Sequence, residues 1–408
     1  MNQAESRHSY CWVILGILFF SQVVLSLGAY AWGPLGPYIK ESLSLTSVQF
    51  GSLTSTLYLT SVMVSIPAGM SVDRWGVKPT LLLCMMLMGI SMISASFCGS
   101  YLPLIILLAF AGASYGMINP LASKGLTLWF DVNFRATAFG IRQMGVTAGG
   151  AIAGVLLIYL AQLRSWNLAV LVIGLLAILI AVATFFFYKE LPNKDSDVSV
   201  SAKKTQKKVS LVDLLKNRNL ILVCLLMSLL CLGQSSIGAF LVLYLKEHLG
   251  FPALLAGTFL TITMILGGLG RVVWGIVSDR AFNGRRLPVM RIICVLATIS
   301  SLSACLWTQD IPKYLFAIIV ALFGLSYLGF QGVAVVLMVE ACDPELAGRA
   351  TGFGVTIAWV GMVLGPVIYG AILTFGYPVS WLFVTITSVV GLLLSLAIHE
   401  TRSVDIAD

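Results

Sequence analysis

Three cations stand inside otherwise apolar stretches of this chain. Lys124 lies in NPLASKGLTLWF, Arg142 in AFGIRQMGV and Arg271 in GGLGRVVWGIVSDR. Arg271 precedes Asp279 by eight residues. At 1.5 Å per helical residue that places it roughly 12 Å in from the loop, near the middle of a ~30 Å hydrocarbon layer. Lys124 lies seven residues before Asp131, and Arg142 seven after Arg135. Each therefore reaches roughly 10 Å inward. A charge at such depth is costly, faces protein or water rather than lipid, and marks a functional site.

No acid is placed to neutralise them. All 17 Asp and Glu fall in loops, tails or helix ends, with Glu340 the deepest. Cations without an embedded carboxylate predict an electropositive cavity whose missing partner is a small anionic substrate. A guanidinium suits a carboxylate, because its planar fork donates two parallel hydrogen bonds. Arg271 is the expected contact, with Arg142 and Lys124 beside it as substrate-binding candidates. Two alternatives stay open. Lys124 could snorkel to the surface on its long stem, and Arg142 could bond the carbonyls at a neighbouring helix end.

Polar residues within the same runs are expected to add specificity. They are Gln22, Tyr30, Asn119, Gln234, Tyr327 and Gln331. Gln22, Ser26 and Tyr30 follow at i, i+4 and i+8, hence on one helix face. Trp359 reads equally as a cavity wall or a lipid-facing ring.

The elements that must carry these residues are membrane spans. The chain of 408 residues is 59% hydrophobic and only 10% charged, a composition that excludes a soluble globular domain. The expected fold class is an all-α polytopic membrane protein. Twelve apolar segments of spanning length are predicted, at about 10–34, 47–68, 79–98, 102–128, 137–161, 166–188, 219–245, 254–277, 288–307, 313–339, 350–374 and 380–399. The polar, lysine-rich stretch 189–218 is the only good linker. It divides an N-terminal six-helix bundle, 1–188, from a C-terminal one, 219–408.

The net charge of +8 belongs to loops that orient the chain in the bilayer, not to a nucleic-acid surface. On one side of the membrane stand only Lys40, Arg164, Lys246 and Lys313, and, the three embedded cations aside, the remaining basic residues fall on the other side. That bias predicts a multi-pass protein of the cell inner, or plasma, membrane with both termini and the linker cytoplasmic. Trp12, Trp32, Trp129, Trp166, Trp307 and Trp381 fall near predicted helix ends, as interfacial tryptophans do.

The two halves repeat each other. Gly69-Met-Ser-Val-Asp73-Arg74 matches Gly275-Ile-Val-Ser-Asp279-Arg280. Arg135-Ala-Thr-Ala-Phe-Gly140 matches Arg349-Ala-Thr-Gly-Phe-Gly354. The glycines of Gly145-x3-Gly149-Gly150-x3-Gly154 share their spacing with Gly361-x3-Gly365-Pro366-x3-Gly370. A duplicated six-helix unit places its substrate site between the halves near the midplane.

Gly69-x3-Asp73-Arg74-x-Gly76-x-Lys78, with Gly275-x3-Asp279-Arg280 as its second copy, resembles the loop signature of the major facilitator superfamily. The resemblance implies two pseudo-symmetric bundles that work by alternating access. In this reading the motif residues, with Arg135 and Arg349, form a structural or gating latch. Glycine allows close helix approach and the aspartate caps a neighbouring helix start. The stretch GGLGRVVWGIVSDR further resembles the oxalate/formate antiporters and monocarboxylate transporters. This implies that Arg271 binds a substrate carboxylate. The eleventh segment has no lysine where the oxalate antiporter carries one.

The expectation is therefore a secondary active transporter for a mono- or dicarboxylate, acting as a monomer, with a counter-transported anion or a proton. The alternatives are an inorganic-anion carrier of the nitrate type, which also uses buried arginines, a multidrug or metabolite exporter, which commonly needs an embedded acid, and a non-transporting receptor or sensor, which would normally need a soluble signalling domain larger than the central loop. No cofactor or metal is expected. His8, His248 and His399 lie at ends or loops, the eight cysteines lack ligand spacing, and no phosphate-binding glycine loop is present. Nothing in the sequence supports an enzyme.

Overall fold

The computed structural model describes residues 3–190, 217–341 and 347–398. Twelve helices are long and apolar enough to cross a membrane. The first six are α1 (Tyr10–Ser42), α2 (Ser47–Trp75), α3 (Val77–Ala95), α4 (Tyr101–Trp129), α5 (Thr137–Leu163) and α6 (Trp166–Phe187). The second six are α7 (Arg218–Glu247), α8 (Ala253–Ala281), α9 (Leu287–Leu306), α10 (Phe316–Glu340), α11 (Gly352–Phe375) and α12 (Tyr377–Leu396). Most of the linker expected at 189–218 lies outside the described residues, as do the extreme termini.

Helix contacts follow the sequence repeat. In the first bundle α1 packs on α5, α2 on α4 and α3 on α6. In the second α7 packs on α11, α8 on α10 and α9 on α12. The bundles meet along α2–α11 and its symmetry mate α5–α8, and also along α1–α7.

The repeated glycines explain how backbones come this close. A Cβ at Gly149 would strike Val23 of α1, and one at Gly365 would strike Leu232 and Ser235 of α7. Further along, a Cβ at Gly154 would meet the Gly257 carbonyl of α8, and one at Gly370 the Ser47 carbonyl of α2. The same register thus builds one contact inside each bundle and one contact between bundles.

The contacts between bundles concentrate at the end of the molecule that carries Lys40 and Glu247. There a Cβ at Gly33 would strike Gly238, and one at Gly51 would strike Pro366. Lys40 of α1 pairs with Glu247 of α7 at 3.1 Å, and Lys246 of α7 lies 4.9 Å from the ring centroid of Tyr38 of α1. Each half reaches a lysine across to the other. At the opposite end, which carries Asp73 and Asp279, no ion pair joins the bundles among the described residues.

The tryptophan expectation needs correction. Trp32, Trp166 and Trp381 are buried among helices. Trp381 stacks on Phe323 at 5.3 Å and meets Tyr369 edge-on at 5.5 Å, so its role is core packing.

Candidate functional site

Arg271 lies on the inner face of α8 and opens into a cavity of about 190 Å³ between the two bundles. Each bundle contributes walls. Gln22 and Tyr30 come from α1, Tyr58 from α2, Tyr115 and Asn119 from α4, and Gln143 from α5. Gln234 comes from α7, Gln331 from α10, and Trp359 and Met362 from α11. No Asp or Glu is among the described residues that line it.

The Arg271 guanidinium is anchored at one edge only. Its Nε donates to the Leu328 carbonyl at 3.3 Å. Its two terminal nitrogens make no hydrogen bond to described residues, so the fork is turned to the cavity. A planar donor pair held at its base and open at its tip is the geometry a carboxylate or related oxyanion completes.

Arg142 is placed differently. It is 4% exposed and stands behind the wall. Its Nη2 donates to Gln22 Oε1 and, at 2.9 Å, to Asn119 Oδ1, and its Nη1 donates to Gln143 Oε1 at 3.1 Å. Side-chain amides take both terminal nitrogens of this cation, in place of the helix-end carbonyls that the sequence left open, and its buried Nε has no partner among the described residues. Across the cavity, Gln331 Nε2 donates to Gln234 Oε1 at 3.1 Å, a bond between α10 and α7.

Aromatic rings close one side and bridge the two halves. Trp359 stacks on Tyr115 with centroids 6.5 Å apart and meets Tyr58 edge-on at 6.3 Å. Trp359 is therefore a cavity wall. Tyr58 and Tyr115 were not singled out from sequence. Tyr115 carried a signal, since it stands one turn before Asn119 on the same face of α4.

Besides Arg142, two more expected substrate residues fall outside the cavity. Lys124 Nζ lies 3.0 Å from Asp73 Oδ1 and donates to the Val72 carbonyl at 3.2 Å. Its partner sits at the end of α2, distant in sequence, so counting along α4 alone could not reveal it. The expectation that all three cations lack a nearby acid is corrected at this position. Tyr327 is fully buried behind Gly233, with its hydroxyl 3.4 Å and 3.5 Å from the carbonyls of Ala297 and Val384. The cause is a π-helical turn at Gly324–Leu328. The extra residue in that turn breaks the i, i+4 register, turning Tyr327 away while Gln331 stays on the cavity side.

The loop motif is a set of local clasps. Asp73 binds Lys124 rather than capping a helix. In the second half Arg286 binds Asp279, donates to Ser278 Oγ at 2.9 Å and reaches Glu340 at 3.5 Å. Arg74 and Arg280 are exposed. Arg135 donates to the Phe130 and Thr127 carbonyls, both at 2.9 Å, and so finishes the last turn of α4. The side chain of Arg349 lies outside the described residues.

Gly69 and Gly275 are not at close helix crossings. A Cβ would sit 3.8 Å from Pro120 at the first and meet nothing within 4 Å at the second. Gly76 is constrained, with φ +91° and a Cβ position that would crowd the Glu190 carboxylate. That carboxylate accepts from the backbone N–H of Val77 at 2.8 Å and of Lys78 at 2.7 Å. It thus caps the start of α3 from the end of α6.

Comparison with known proteins decides the family. The model of the Major Facilitator Superfamily matches residues 18–357, and a second match covers 223–406. The chain belongs to this superfamily. A protein named as a probable sulfoacetate transporter of Cupriavidus necator is 25% identical over 100% of this chain and 97% of its own length. A hexuronate transporter of Bacillus subtilis is 22% identical over 88% of this chain and 87% of its own. Among solved structures, a bacterial homologue of the human lysosomal transporter Spinster, inward-facing and occupied, superposes with TM-score 0.81 at 16% identity over 97% of this chain and 98% of its own. This facilitator-superfamily protein is a multi-pass membrane transporter, not an enzyme.

Proposed function

We propose that the protein is a secondary active transporter of small organic anions, and that Arg271 receives the substrate's carboxylate. The observation that carries this reading is the open fork of Arg271 in a cavity between the two halves, with no acid among the described lining residues. The named substrates of the two relatives, sulfoacetate and hexuronate, share a carboxylate with a polar body. The aromatic wall of Tyr58, Tyr115 and Trp359 favours an organic ligand over an inorganic anion, which would leave that apolar surface unused. The absence of a described acid from the cavity argues against a cation exporter.

In this reading the transporter sits in the inner membrane with both termini cytoplasmic, following the Lys/Arg bias. The end closed by Lys40 and Glu247 then faces outward, and the cavity belongs to an inward-facing state. Coupling is by anion exchange, or by symport in which the proton rides on the substrate.

A thermal-shift screen of the purified protein tests the proposal. Sulfoacetate, D-glucuronate, acetate, nitrate, glucose and a lipophilic cation form a sufficient panel, since a state-specific ligand raises apparent stability. A shift with the carboxylates alone is expected. A shift with nitrate alone, or with the cation alone, overturns the assignment.

A further inference from the structure

Gln22, Asn119 and Gln143 line the cavity, and each turns its side-chain oxygen to the same buried guanidinium. Arginine has five N–H donors and no acceptor. While Arg142 stays in place, each of these amides must present its oxygen to it and its NH₂ elsewhere. Gln22 Nε2 donates to Ser26 Oγ at 2.9 Å. Asn119 Nδ2 and Gln143 Nε2 make no hydrogen bond to described residues, and both side chains belong to residues exposed at the cavity.

We propose that Arg142 is a positioning residue that fixes the polarity of the first-half wall. It makes Asn119 and Gln143 donors and so selects anions whose end remote from Arg271 carries hydrogen-bond acceptors. The inference rests on the organic-anion reading and deepens it. Arg271 takes the charged head in this scheme, and the amide wall takes sulfonyl, sulfonate or hydroxyl oxygens at the tail. Arg142 itself touches no substrate in this scheme, because it does not line the cavity, both its terminal nitrogens donate to the amides, and its Nε is buried with no hydrogen-bond partner among the described residues. An amide released from Arg142 is free to turn its oxygen inward, which would repel the same tail.

The test uses two monoanions of one shape, methylsulfonylacetate and 3,3-dimethylbutanoate, titrated into the purified full-length protein. They share a carboxymethyl head and differ by the two sulfonyl acceptors. The wild type is expected to prefer the sulfone by about tenfold, the scale of one well-made hydrogen bond. Arg142→Lys keeps the charge but puts a single nitrogen on a shorter stem where two separate nitrogens hold the three amides, so the preference should collapse toward unity while 3,3-dimethylbutanoate still binds. Asn119→Ala should lose most of the preference with Arg142 intact. The double variant should lose no more than the larger single loss, because the residues act through one another.

Failure of both probes to bind the wild type would overturn the organic-anion reading itself. Equal binding of both probes by the wild type would overturn the amide wall and leave that reading standing. A preference retained in Arg142→Lys, or additive losses in the double variant, would show that Arg142 acts as a charge alone. Where Arg142→Lys fails to fold, Asn119→Ala decides by itself, and an unchanged preference there contradicts the proposal.

Discussion

Arg142 and Arg271 are both arginines within membrane-spanning helices, yet the protein treats them in opposite ways. Arg142 is enclosed by three amide oxygens from three helices of the first bundle. Arg271 is tied by a single bond to the Leu328 carbonyl and keeps its fork open to the cavity. The first bundle surrounds its cation with amides, and the second leaves its cation facing the cavity. The difference teaches that depth in the membrane identifies a costly residue but not its task. What decides the task is whether neutral acceptors already occupy the guanidinium.

The contrast yields variants with separable effects. The largest is expected from Arg271→Ala, which should weaken anion binding by about 2–5 kcal/mol, the usual scale for truncating one side of a buried charged pair. Its melting temperature without ligand should stay near that of wild type, because an unpaired buried cation does not stabilise the empty protein. Arg142→Met should show the reverse pattern. Three amide oxygens lose their donor, so unfolding should become easier by about 1–3 kcal/mol while simple carboxylates still bind. Calorimetry and ligand titration on the same preparations separate the two patterns, and identical behaviour of the two variants would erase the comparison.

Smaller effects mark the residues that lie outside the site. Tyr327→Phe removes a hydroxyl whose contacts are 3.4 Å and 3.5 Å long, so stability should change by less than about 1 kcal/mol. Anion affinity in that variant should match wild type, and a clear loss would place Tyr327 in the site after all. Lys124→Met breaks a pair whose acid, Asp73, is largely exposed. Its effect should be equally small, about 0–1 kcal/mol in stability. Substrate titration should again match wild type, and a large loss would restore Lys124 to the cavity.

Much of the architecture was legible because it is written in periodic signals. Long apolar runs located all twelve spans to within a few residues at most ends, and α1 and α2 run well past their expected limits, to Ser42 and Trp75. The shared spacing of Gly145 to Gly154 and Gly361 to Gly370 anticipated equivalent helix contacts in the two halves. The site was legible where a residue's own helix decides its direction, as for Gln22 and Tyr30 on one face of α1.

It was illegible where another helix decides. Asp73 reaches Lys124 across 51 positions, and no count along α4 foretells that pair. The π-turn at Gly324–Leu328 rotates Tyr327 out of register without a proline to announce it. The amides around Arg142 come from α1, α4 and α5, so their convergence exists only once those helices pack.

We propose that Arg271 holds the substrate's carboxylate by its fork. It is tested most directly by titrating the most stabilising anion of the screen into wild type, Arg271→Lys and Arg271→Ala, with melting temperature measured on each. The expected affinity order is wild type, then lysine, then alanine, since lysine keeps the charge and loses the bidentate geometry. This assignment also requires three similar melting temperatures in the absence of anion. Wild-type affinity in Arg271→Ala, or a loss of binding that merely follows a loss of folding, would contradict it.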